Sequence, residues 1–170
     1  KMEIIKLQNN SRDKNSDVDL LNQRAADTRK SSGNASLVSS KEAIKIALAS
    51  GYKAGMAKAY FNAGISSRLS SNFEPAIDYF IKALETYRGL KDSNGESRTL
   101  NALANVYYNL GSYEKAIEYY DECIFVLQSL GDLKFEAIVL TNRALSLQQF
   151  GDLKASLNNY LESLSIYNSI

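Results

Sequence analysis

The chain has 170 residues, 45% of them hydrophobic and 23% charged, with one proline and 20 basic against 19 acidic side chains. This composition fits one folded, mostly helical domain or a short array of repeats, and not a disordered segment. A formal charge of +1 leaves no broad basic face, which argues against nucleic acid as a partner. Histidine is absent and Cys123 is the lone cysteine, so a nucleophilic triad, a zinc cluster and an intrachain disulfide all lack their usual groups.

Apolar runs stay far below the ~20 residues that cross a bilayer, so membrane insertion by this segment is not expected. The chain carries a residue ahead of its first methionine and stops within an apolar periodic run, as an excised fragment would.

The elements follow from a repeat. "SNFEPAIDYFIKAL" begins at Ser71, "GSYEKAIEYYDECI" at Gly111 and "GDLKASLNNYLESL" at Gly151, and the forty-residue spacing is held twice. In chain order, residues 1–16 come first as a tail. Ile4 and Leu7 stand in phase with Ile44 and Ala47, as the end of a preceding helix would, and a frayed or tag-derived end is the alternative reading.

Residues 17–52 form a degenerate first unit, with Leu20 and Leu21 in its first helix and Ser36, Leu37, Ser40, Ala43 and Ile44 in its second. Periodicity resumes inside "SSGNASLVSS", which reads as a helix connection and not as a flexible linker.

Three clear units follow, at 53–92, 93–132 and 133–170, the last one truncated. In each second helix, small and large residues alternate at intervals of three and four, as in Ala116, Ile117, Tyr120, Cys123, Ile124 and Leu127. Such a stripe lets two helices lie close, the small side chain admitting a neighbour's ring or branched chain. First helices are marked by Tyr60 and Gly64, by Leu100, Ala104 and Tyr107, and by Leu140, Ala144 and Leu147. Pro75 sits in a first turn, where its missing N–H costs little.

In the middle unit, Leu100, Leu103, Ala104, Tyr107, Ala116, Tyr120 and Cys123 together resemble the tetratricopeptide repeat, and the resemblance covers Lys53 to Ile170. Two departures are Arg88, Gln128 and Asn168 in place of a closing proline, and a period of 40 where 34 is usual. The longer form is similar to arrays in kinesin light chains, spindle-orientation adaptors and the sensory parts of bacterial kinases and cyclases. The resemblance implies a single all-α domain, a right-handed superhelical solenoid of antiparallel helix pairs. It implies a non-catalytic module that binds a protein or peptide segment in a concave groove, as part of a larger signalling or scaffold protein. The other function it implies is a dimerising sensory domain that controls an attached kinase or cyclase, with a homodimer as its state. A cytoplasmic location is expected, or a periplasmic one if the segment belongs to a membrane sensor.

Carried over position by position, the resemblance puts Phe61, Asn62, Ile65, Arg68, Arg98, Asn101, Asn105, Tyr108, Thr141, Asn142 and Leu145 in the groove, with Lys58, Leu69, Asn109, Ile138, Gln148 and Gln149 beside them. Amide side chains offer both a donor and an acceptor and can hold an extended backbone of any sequence, while arginine and the aromatics select side chains. Phe61, Asn101 and Asn142 stand where the family's two-carboxylate clamp needs lysine and arginine, so that mode is not expected.

No cofactor, metal or catalytic residue is expected. Glu114, Glu118 and Glu122 make a row with no opposing cluster, which reads as a solvated outer face. Tyr60, Tyr87, Tyr107, Tyr120 and Tyr167 fall on packing positions, while Tyr108 and Tyr119 do not. Cys123 stands where Ala83 and Ser163 stand, and reads as a packed thiol. Arg143 replaces Leu103 of the preceding copy, and the sequence alone leaves its role open.

Replacing Ala116 by leucine should cost about 1–3 kcal/mol through overpacking, read as a lower thermal midpoint. An unchanged melt would mean that the assigned register is wrong.

Overall fold

The structure, a computed structural model, describes the backbone of residues 2–170 and the side chains of 13–170. Ile4 and Leu7 therefore lie outside the described side chains. Among the described residues all regular structure is helical: α1 (Met2–Thr28), α2 (Gly33–Ser50), α3 (Lys53–Leu69), α4 (Phe73–Leu90), α5 (Ser93–Asn109), α6 (Tyr113–Leu130), α7 (Leu133–Phe150) and α8 (Leu153–Ser169). Connections of two to four residues join successive helices, and within each unit successive helices pack against each other. The chain divides into two compact units, Lys1–Lys91 and Asp92–Ile170.

The turns explain the period. Left-handed backbone recurs every twenty residues, at Gly51, Ser71, Lys91, Gly111, Gly131 and Gly151. Each stops a helix by turning its last carbonyls onto the next N–H groups, as when Gly131 N donates to Gln128 O. Side-chain caps start four of the helices, with Ser32 accepting from Ala35 N, Asp92 from Gly95 N, Asp132 from Phe135 N and Asp152 from Ala155 N, while Tyr52, Asn72 and Ser112 begin theirs without one. Two helix-and-turn segments of twenty residues make the forty-residue unit.

Position 31 lacks the left-handed residue, and this changes α1. Its connection to α2 spans residues 29–32, so α1 ends at Thr28, one residue earlier than a forty-residue offset from the end of α3 at Leu69 would put it. The inward stripe becomes Val18, Asn22 and Ala25, while Leu20, expected inside, is 69% exposed and Leu21 is half-buried. Helix α1 also passes unbroken through residues 16 and 17.

In the first unit, α2 packs against α1 and α3, and α3 against α4. One core cluster joins Val18, Ala43, Ala47 and Ala59, with Leu21, Ile44, Ile46, Tyr52 and Met56 against it. Another joins Ala57, Ala83 and Tyr87, with Tyr60 and Phe61. Polar groups are buried here too, and several are paired across helices, although Asn15 Oδ1 is buried without a partner among the described residues. Ser36 Oγ donates to Ala25 O at 2.7 Å and lies 2.6 Å from Ser66 Oγ, and Asn22 Nδ2 donates to Gly55 O at 2.9 Å.

In the second unit, α6 packs against α5 and α7, α7 against α8, and α5 touches α7. Leu100, Leu103, Val106, Tyr120, Leu127 and Val139 are among its fully buried side chains. Arg143, whose role the sequence left open, is a strap between helices. Its Nε makes an ion contact with Asp121 on α6 at 2.6 Å, and its Nη1 donates to Asn159 Oδ1 on α8 at 3.0 Å.

At Gly64, α3 lies close against α4, since a Cβ there would stand 2.6 Å from the buried ring of Phe80. Gly64→Ala should therefore destabilise by about 1–2 kcal/mol in urea unfolding, overpacking outweighing the gain in helix propensity. Adding Phe80→Leu should recover part of that loss, and a stabilised single variant would refute the close contact.

Candidate functional site

The exposed side of the first helices is best defined on α5 and α7. Leu100, Leu103, Ala104 and Val106 turn the buried side of α5 inward, which leaves Arg98, Asn101, Asn105 and Tyr108 on the other side at helical spacing. On α7, Val139, Leu140 and Ala144 are buried, while Ile138 and Leu145 are exposed and Asn142 is half-buried. Asn142 Nδ2 donates to Asn101 Oδ1 at 3.3 Å, so the two rows lie side by side.

Hydrogen bonding gives these amides a direction. Asn105 Oδ1 accepts from Tyr120 Oη at 2.9 Å, and Tyr120 is buried in the core, so the amide is held with its Nδ2 donors outward. Asn101 likewise uses its oxygen and keeps its donors, whereas Asn142 uses a donor and keeps its oxygen. This face thus presents amide nitrogens at Asn101 and Asn105 and an amide oxygen at Asn142.

Apolar and cationic groups flank them. Tyr108 packs edge-tilted on Tyr113 at 5.6 Å between ring centres. Arg98 is exposed and, with Asp132, Lys134, Phe135 and Ile138, lines a hollow of about 300 Å³ at the start of α7. Lys134 and Phe135 escaped the sequence reading because they precede the first marker of their helix. Thr141 is turned inward: its Oγ1 donates to Ala137 O at 3.0 Å and lies 2.9 Å from Ser163 Oγ.

In the first unit, the expected residues divide differently. Asn62 is buried, its Nδ2 donating to Asn22 O at 3.1 Å and Asn22 Oδ1 at 3.3 Å, so it joins α3 to α1 and is closed to a ligand. Phe61 packs on Phe80 with ring centres 5.8 Å apart. Ile65 and Arg68 are half-buried, and Lys58 and Leu69 are exposed.

Of the groups that suggested other chemistry, Tyr87 and Tyr120 are buried as expected, whereas Tyr167, expected at a packing position, is 45% exposed near the end of α8. Glu114, Glu118 and Glu122 lie on the exposed side of α6, and no metal-holding group of acidic or cysteine side chains occurs among the described residues. Tyr119 stacks on Tyr107 at 5.3 Å with Lys115 above the Tyr107 ring. Cys123 is buried and its Sγ donates to Ser97 O at 3.1 Å, while Ser163 Oγ, forty residues on, donates to Ala137 O at 2.8 Å. Burial pushes the Cys123 thiol from the ordinary 9.0 up to about 12, only partly offset by a backbone hydrogen bond at Asn101.

With this geometry in place, residues 91–169 match the tetratricopeptide repeat family. Among solved structures, the chain is similar to BtubC (BKLC) from P. vanneervenii, with 19% identity and a TM-score of 0.76 over 81% of this chain and 57% of that one. Aspartyl phosphate phosphatase F from Bacillus subtilis gives 15% identity and a TM-score of 0.84 over 89% of this chain and 40% of that one. The "putative kinesin light chain nearly identical TPR-like repeats" of Podosopora anserina give 12% and 0.60, over 96% and 92%. The chain thus spans 57% and 40% of the first two, and the likeness is one of fold. No curated protein matches it. Among the described residues, no helix is long and apolar enough to cross a membrane.

The buried thiol makes a pH prediction. Because its folded pKa is raised, Cys123 contributes stability that is complete below pH 9 and is lost as pH rises toward about 12. The difference in unfolding free energy between the wild type and Cys123→Ser should be flat below pH 9 and shift against the wild type above it. A flat difference throughout would contradict a buried, protonated thiol.

Proposed function

Residues 91–169 match the tetratricopeptide repeat family, and on that premise we propose that the chain is a non-catalytic protein-interaction module that holds an extended peptide segment across α5 and α7. The observation that carries this reading is the fixed direction of the amides. Asn101 and Asn105 offer donors to backbone carbonyls, and Asn142 offers an acceptor to a backbone N–H. Arg98 and Tyr108 then select the segment's side chains, and Ile138 and Leu145 give it apolar contact. Phe61, Ile65 and Arg68 on α3 are the corresponding candidates of the first unit. Part of a signalling or scaffold protein in the cytoplasm is the working assignment.

A second reading, a regulatory domain that dimerises and controls an attached kinase or cyclase, draws on α8. Leu153, Leu157, Leu161 and Leu164 form an uncovered stripe, each at least 55% exposed, on the helix that ends the second unit. Sedimentation over a range of concentrations separates the two, since a strict monomer removes the support for dimerisation.

Peptide display on the intact chain should yield segments whose affinity drops at least about tenfold in Arg98→Glu/Asn105→Ala, measured well below the melting transition of either chain. Selected peptides that bind the double variant equally well would refute the site.

A further inference from the structure

The hairpins differ at one recurring place. On α6, Lys115, Glu118, Tyr119 and Glu122 surround a hollow of only about 160 Å³, narrowed by the stack of Tyr119 on Tyr107. On α4, the residue forty before Tyr119 is Tyr79, which packs on Tyr60 with ring centres 6.4 Å apart. Eighty residues before the α6 set, α2 has Ala35, Val38, Ser39 and Glu42. The tyrosine has become a serine and the lysine an alanine. Together with Leu21 and Arg24 of α1 and Lys41 and Lys45 of α2, these residues line an open cleft of about 660 Å³.

The lining has an apolar floor and a cationic rim. Leu21, Ala35 and Val38 supply the floor, and Val38 is 60% exposed. Arg24, Lys41 and Lys45 stand against one carboxylate, Glu42. Lys41 and Lys45 are four residues apart on one helix, where like charges repel each other until an anion lies between them. Size and openness suit side chains presented by a peptide, since sites that enclose small ligands span a similar volume but surround their contents.

We propose that the α1–α2 cleft is a second docking site, for an acidic segment of a partner protein that places an apolar side chain over Leu21, Ala35 and Val38 and its carboxylates against Arg24, Lys41 and Lys45. The site belongs wholly to the first unit and does not depend on the face of α5 and α7.

The test is a titration of the intact ¹⁵N-labelled chain with three synthetic peptides: Glu-Leu-Glu-Phe-Glu, Lys-Leu-Lys-Phe-Lys and Glu-Ser-Glu-Ser-Glu, all with blocked ends. The first should shift the amide signals of Leu21, Ala35 and Val38 and bind at least about tenfold more tightly than the other two. Ser39→Tyr places in the cleft the ring that α4 and α6 carry at this position and should abolish those shifts. Lys41→Glu/Lys45→Glu, at exposed positions that do not endanger folding, should weaken the acidic peptide and admit the basic one. Arg98→Glu/Asn105→Ala should leave this binding unchanged, which separates its failure from failure of the α5–α7 site. Absence of shifts at those amides, equal binding of the basic peptide, or full affinity in the charge-reversed variant would overturn the proposal.

Discussion

Everything in this molecule depends on pairs of helices approaching closely at a few small residues that recur every forty positions. At the second-helix position occupied by Ala83, Cys123 and Ser163, each small group meets the helix before it: Ala83 against Ala57, Cys123 on the carbonyl of Ser97, Ser163 on the carbonyl of Ala137. Residues 57, 97 and 137 are themselves forty apart. A larger side chain would push the helices apart and uncover the branched and aromatic residues packed around the contact. Chemistry at the position varies from methyl to thiol to hydroxyl because only volume is strictly limited, and the polar versions find an acceptor.

That constraint decides what remains for function. A helix that buries Leu100, Leu103 and Val106 on one side has its opposite side free for other residue types, and on α5 these are amides, an arginine and a tyrosine. The core also reaches out to them. Tyr120 is almost wholly buried, yet its hydroxyl fixes Asn105, so the packing that stabilises the hairpin also orients a group at its surface. A preoriented amide loses less conformational freedom on binding than a free one, which favours affinity without added contact area.

Much of this was legible in the chain. The period, the helix pairs and the small-residue positions all follow from spacing, because burial of one helical face imposes a pattern that survives changes of residue. Direction along a polar row is less visible. Asn62 and Asn142 are eighty residues apart and equivalent in sequence, but Asn62 is sealed against Asn22 of α1, whereas Asn142 meets Asn101 on an open face. The partner decides, and the partner lies on another helix about forty residues away. Leu20 was misplaced for a related reason: one missing left-handed turn residue rotated α1, and leucine is acceptable on either side of a helix. Arg143 showed its purpose only once Asp121 and Asn159 were seen on either side of it. The α1–α2 cleft could be found from sequence only by asking what the first copy lacks, since it results from Ser39 and Ala35 standing where tyrosine and lysine stand later.

The most direct measurement is hydrogen–deuterium exchange of the intact chain, alone and with a display-selected peptide bound. Slowed exchange should concentrate on the segments 98–108 of α5 and 138–145 of α7, with α6 and α8 little changed. Protection confined to α6 or α8, or spread evenly over the chain, would contradict a binding face built on the first helices.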